Sequence, residues 1–150
     1  VKIQDYFRNP DLLTFTSLIL RSLSALSQEE IVSALRNPNE WRLFGTSGVR
    51  GIVGHDLTPE FCRQVGQALG STLPAWSRVC LATDTRVSKE EVKSAVISGL
   101  VSTNIDVVDL GILPTPALAL LTQEWKFDTG IMITASHNPP EYNGIKLFND

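Results

Sequence analysis

The sequence is short of the features that mark several large classes of protein. Two cysteines in 150 residues make no disulfide framework. Cys62 falls on an expected helix and Cys80 in an expected strand, so both read as small core residues. Thirteen Lys and Arg against sixteen Asp and Glu give a net charge of -3. No basic block stands out, which argues against a nucleic-acid partner. The longest apolar-leaning stretch, Leu12 to Leu26, is broken by Thr14, Thr16, Ser17, Arg21, Ser22 and Ser24. It is neither a membrane span nor a signal-peptide core, and the expected setting is cytoplasmic, with no membrane partner. Internal repeats and low-complexity tracts are lacking, which argues against a solenoid or a disordered scaffold. There is no Gly-x-Ser-x-Gly elbow and no Asp-x-Asp-x-Asp cluster. His55, alone between Gly54 and Asp56, earns no metal assignment.

What is present is an ordinary globular composition, 43% apolar and 19% charged, enough for one domain with a core. Residues 1–40 carry a helical pattern and read as an appended extension. Asp11 is placed to cap a helix reaching about Leu23, Ser27-Gln28-Glu29-Glu30 forms a capping box for a second through Leu35, and Asn37-Pro38-Asn39 stops it. From residue 41 strands and helices alternate. Thr58-Pro59 opens a helix with Phe61, Val65, Ala68 and Leu69 on one face and Gly70 as its stop. Arg78 to Thr83 reads as a strand. Ser88-Lys89-Glu90-Glu91 is a second capping box, opening a helix with a stripe of Val92, Ala95, Val96, Gly99 and Leu100 and a stop at Asn104. Ile105 to Leu110 is a strand, Thr115-Pro116 caps a helix through about Trp125, and Thr129 to Thr134 and Gly144 to Phe148 are further strands. The pattern predicts a three-layer α/β/α domain over residues 41–150 with a mixed, mainly parallel sheet.

The chemistry concentrates in Thr134-Ala135-Ser136-His137-Asn138-Pro139-Pro140-Glu141-Tyr142-Asn143-Gly144-Ile145-Lys146. The apolar strand before it turns polar abruptly at Ser136, and in an open α/β sheet the carboxyl end of a strand is where ligands bind. Two prolines fix their φ angles and offer no amide, so the loop behind Ser136 is stiff. Serines at strand ends are more often turn residues than nucleophiles; the surrounding motif is what raises Ser136 above that reading. His137 is adjacent to Ser136 and badly placed to serve it as a base. Gly45, Gly48, Gly51 and Gly54 recur around Arg50, a spacing compatible with a nest of amides around an anion or with a plain surface loop.

The motif resembles the active-site signature of the α-D-phosphohexomutases, which include phosphoglucomutase, phosphomannomutase and phosphoglucosamine mutase. Phe44-Gly45-Thr46-Ser47-Gly48-Val49-Arg50-Gly51, Asp84-Thr85-Arg86 and Gly111-Ile112-Leu113-Pro114-Thr115-Pro116 extend the resemblance to the family's first domain. The resemblance implies that Ser136 carries a phosphoryl group, that Lys146 manages the proton of the attacking sugar hydroxyl and that Arg50 holds transition-state charge. It further implies that His137 orients the loop or meets a phosphate oxygen. Thr46, Ser47, Gly48 and Asn138 are assigned to phosphate or substrate binding, and Asp84 and Arg86 to structural support as an ion pair. Ala82 departs from the family pattern, in which a glycine commonly stands two residues before the aspartate. The 1–40 extension departs as well, since family members often begin near the Phe-Gly-Thr motif.

The same resemblance implies a hexose phosphate and a hexose bisphosphate as ligands, transferred between the C1 and C6 oxygens. It implies Mg2+ bound through the Ser136 phosphate, with its main ligands in a second domain. By that comparison Asp150 reads as the end of a fragment, inert alone, whose partners are the remaining domains of the same polypeptide. The alternative is a stand-alone module that binds sugar phosphates without catalysis. The motifs do not choose among glucose, mannose and glucosamine.

Overall fold

The computed structural model describes residues 48–148; the helices expected within residues 1–40 lie outside them. The elements run β1 (Val49–Ile52), α1 (Pro59–Thr72), β2 (Arg78–Thr83), α2 (Lys89–Val101), β3 (Asp106–Ile112), α3 (Thr115–Glu124), β4 (Thr129–Ile133) and β5 (Tyr142–Phe148). The strands form one sheet in the order β1-β5-β4-β2-β3. The central β4, β2 and β3 pair in parallel through the two crossover helices α2 and α3. β5 is antiparallel to both β4 and β1. The sheet is therefore mixed as expected, with its pairings divided evenly between the two kinds.

Apolar runs put β2 and β4 in the middle. Val79 and Leu81 of β2 face one side with Ile131, Ile133 and Ile145, and α1 and α2 cover them with Val65, Leu69, Val96 and Leu100. Cys80 and Ala82 face the other side with Met132, under Leu118 of α3 and Phe127. Each fully buried Leu or Ile contributes about 2 kcal/mol through removal from water. Helices on both faces make three layers. Among the described residues no helix is long and apolar enough to cross a membrane.

Several element ends differ from expectation for physical reasons. α1 runs through Gly70 to Thr72 because that glycine is a contact site and not a stop: a Cβ there would lie 2.0 Å from Thr103 Oγ1. Thr58 caps α1 as expected, its Oγ1 accepting from Phe61 N at 3.2 Å. Ser88 sits at the N-cap of α2 without a side-chain cap bond, so the second capping box is not made. Its hydroxyl accepts instead from Asn143 Nδ2 at 3.0 Å. Pro114, not Thr115, occupies the N-cap of α3. Asn104 ends the α2 turn in the left-handed region, at φ 62°. The two cysteines are free and buried, and burial pushes the Cys62 thiol up to about 11.

Candidate active site

Ser136 stands just past the carboxyl end of β4, exposed, with φ at 56°. A non-glycine residue in that region costs about 1 kcal/mol and persists where the surroundings impose it. Here they do. Ser136 N donates to Thr134 Oγ1 at 3.0 Å, and that hydroxyl donates to Asp84 Oδ2 at 2.6 Å. Asp84, at the end of β2, accepts from Arg86 N at 2.9 Å. The Arg86 guanidinium then reaches over the loop. Nη1 donates to the carbonyls of Pro139 and Tyr142 at 2.8 and 2.9 Å, and Nη2 to those of Ser136 and Asn138 at 3.0 and 2.7 Å. Its Nε lies 3.3 Å from Asp84 Oδ2, an ion-pair distance whose geometry falls short of a hydrogen bond. Asp84 and Arg86 thus both bond the segment that holds Ser136, Asp84 through Thr134 and Arg86 through four carbonyls.

β5 brings Lys146 to the serine. Met132 is the cross-strand partner of Lys146, so the lysine leaves the sheet on the α3 face. Its Nζ donates to Ser136 Oγ at 2.8 Å. Arg50 pairs with Gly144, two residues before Lys146 in β5, and so shares that face. Arg50 is exposed and makes no hydrogen bond or ion pair among the described residues. Burial pushes the Lys146 ammonium below its usual range and the nearby Arg50 charge adds to this, while Asp84 opposes. Lys146 thus meets the Ser136 hydroxyl directly, and Arg50 stands on the same face of the sheet, near enough for its charge to act on the lysine.

Close approach of β1 to β5 puts Arg50 and Lys146 on one face. At Gly48, φ is 118° and a Cβ would lie 2.0 Å from the Ile145 carbonyl oxygen. At Gly144 a Cβ would lie 2.6 Å from the Val49 oxygen and 2.8 Å from the Thr134 oxygen. Of the glycines around Arg50, Gly45 lies outside the described residues and the other three serve separate ends. Gly51 lies within β1 in register with Asn143, Gly48 is a strand contact, and Gly54 turns the chain at φ 81°. Gly48→Ala is expected to lower folding stability by roughly 2–5 kcal/mol, from backbone strain plus overpacking. A denaturant midpoint unchanged from the parent would refute that packing account.

The other expected site residues divide. Thr46 and Ser47 lie outside the described residues. Asn138 turns its carboxamide into the loop, with Nδ2 donating to the Ala135 carbonyl at 2.8 Å. His137 is exposed and makes no hydrogen bond among the described residues, so Lys146, not the adjacent histidine, is the partner of Ser136 Oγ. Ala82 is fully buried, its methyl packed in the α3-side core. Two residues carry roles that the pattern did not single out. Thr134 bridges Asp84 to the Ser136 amide, and buried Asn143 ties β5 to Ser88 while its Oδ1 accepts from Gly144 N at 2.8 Å.

The described residues do not amount to a cation site. No group of three or more His, Cys, Asp or Glu side chains among them is placed to hold a metal ion. The carboxylate nearest Ser136 in the bonding pattern, Asp84, is engaged by Thr134 and Arg86.

The fold is an α/β domain that fixes a serine hydroxyl in a left-handed turn at a strand's carboxyl end, against a lysine of the neighbouring strand. The chain belongs to the phosphohexomutases: residues 41–150 match the family model described as phosphoglucomutase/phosphomannomutase, alpha/beta/alpha domain I. It is 54% identical over 110 residues to a phosphoglucomutase/phosphomannomutase of Thermococcus kodakarensis, covering 71% of this chain and 24% of that protein. It is 49% identical over 112 residues to a phosphoglucosamine mutase of Alkaliphilus oremlandii, covering 72% of this chain and 25% of that one. A crystal structure of a phosphoglucomutase/phosphomannomutase family protein from Burkholderia thailandensis superposes with a TM-score of 0.58 at 32% identity, covering 67% of this chain and 24% of the other. The chain thus spans about a quarter of the length of the curated relatives it matches.

Proposed function

We propose that this domain carries the phosphoryl-transfer serine of a phosphohexomutase, which moves a phosphoryl group between the C1 and C6 oxygens of a hexose phosphate. The observation that carries the reading is the 2.8 Å bond from Lys146 Nζ to Ser136 Oγ, with Arg50 on the same face and making no hydrogen bond or ion pair among the described residues. A pure anion-binding module needs the two cations but has no use for a serine held in a strained turn against one of them.

In the proposed cycle Ser136 is phosphorylated. A sugar oxygen forms a bond to phosphorus, the P–Oγ bond breaks, and Oγ leaves with the electron pair. Lys146 delivers a proton to Oγ and receives the one released by the sugar hydroxyl, so the net proton passes from sugar to serine. Arg50 stabilises charge on the equatorial oxygens. The resulting hexose bisphosphate returns its other phosphoryl group to Ser136, with each proton movement reversed. Mg2+ requires oxygen ligands from outside the described residues, with the Ser136 phosphate as this domain's contribution.

Assays of the polypeptide as its source cells make it, with the 1- and 6-phosphates of glucose, mannose and glucosamine, plus hexose bisphosphate and Mg2+, test the proposal. Interconversion of at least one pair is expected. Tight binding of these sugars without any interconversion would replace the mutase reading with the binding module.

A further inference from the structure

The network behind Ser136 is more specific than structural bracing demands. Thr134 sits on a fixed backbone, its own amide donating to the Gly144 carbonyl at 2.9 Å. The one hydroxyl proton of Thr134 is committed to Asp84 Oδ2. Its lone pairs are therefore left to accept from the Ser136 amide, as observed. Asp84 in turn is oriented by the Arg86 amide and guanidinium, and Arg86 holds the carbonyls of Ser136, Asn138, Pro139 and Tyr142. Thus the amide of Ser136 is held through Thr134 and its carbonyl through Arg86, and the two constraints meet at one carboxylate.

We infer that Thr134 is a positioning residue: through Asp84 and Arg86 it sets the left-handed backbone of Ser136 and so directs Oγ at Lys146 Nζ. A valine at this place keeps the shape and loses the acceptor. The Ser136 amide is then unheld, the residue relaxes toward negative φ, and Oγ leaves the line to Lys146. The transfer readout below rests on the proposed function; the lysine readout does not.

The test compares Thr134→Val and Thr134→Ser in the full chain, with Thr134→Ala as a second hydroxyl-free variant should valine fail to fold. Three quantities are followed: the unfolding midpoint, the rate at which Ser136 takes phosphoryl from hexose bisphosphate at saturating sugar, and solvent exchange of the Lys146 Nζ protons by NMR on lysine labelled with 15N. Hydroxyl-free variants are expected to lose roughly 10- to 100-fold in transfer rate with little change in KM. Their Lys146 exchange is expected to quicken to the level of Ser136→Ala. Thr134→Ser is expected to restore both. Exchange that responds while even the parent takes no phosphoryl would leave positioning standing and remove the mutase reading. Equal losses of stability in Val and Ser variants, with transfer and exchange unmoved, would overturn the inference.

Discussion

Ser136→Ala is expected to abolish phosphoryl incorporation and to lower turnover of the full chain by roughly 10^4-fold or more, since loss of a nucleophile removes the covalent route entirely. The fold is expected to survive. Ser136 is exposed, and the bonds that define its loop use its backbone amide and carbonyl, which alanine retains. Among the described residues the hydroxyl's partner is Lys146. The unfolding midpoint therefore stays within about 1 kcal/mol of the parent, reduced chiefly by the methyl in a left-handed turn that serine already tolerates. A variant that keeps parental turnover would show that another residue carries the group. One that unfolds would show that Ser136 is part of the scaffold.

Lys146→Met separates stability from chemistry in the opposite sense. The lysine's folded pKa is depressed, so the folded chain binds that proton less tightly than the unfolded chain does. The resulting cost is fully present below the folded pKa and disappears as pH rises past the unfolded value near 10.5. Methionine removes the charge and keeps a long apolar stem. The unphosphorylated variant is therefore expected to unfold at a higher temperature than the parent at pH 7, with the gain shrinking toward pH 10. Turnover is expected to fall about 10^2- to 10^4-fold, the usual worth of a positioned acid/base group. In the parent, phosphorylation of Ser136 adds about 1.5 to 2 negative charges beside Lys146 and is expected to raise its pKa, which NMR titration of the two forms reads directly. A less stable Lys146→Met at pH 7, or one with near-parental turnover, would contradict the assigned role.

Much of the domain was legible because its strands are continuous apolar runs. Beyond the exposed Arg78, the strands Arg78–Thr83 and Thr129–Ile133 are buried on both faces and sit at the centre of the sheet. The lysine ten residues after Ser136 was legible as a partner through the family motif, and the turn between β4 and β5 explains the spacing. What escaped reading depends on partners distant in sequence or on backbone atoms. The Ser88 box is a valid local pattern, yet Asn143, 55 residues away, competes for its hydroxyl. Arg86 was expected to pair with Asp84, but its carbonyl acceptors carry no side-chain signature. Glycine is ambiguous for a similar reason. The same residue serves a tight turn at Gly54, a strand contact at Gly48 and a helix contact at Gly70, and only the packing tells them apart.

The central claim is that Ser136 holds and passes on a phosphoryl group under Arg50 and Lys146. Intact mass and phosphopeptide mapping of the full chain purified from its source cells, before and after incubation with hexose monophosphate, test it most directly. The account predicts one phosphoryl group on the peptide containing Ser136, discharged on incubation with the matching appearance of hexose bisphosphate. An unmodified Ser136 that hexose bisphosphate fails to phosphorylate would contradict it.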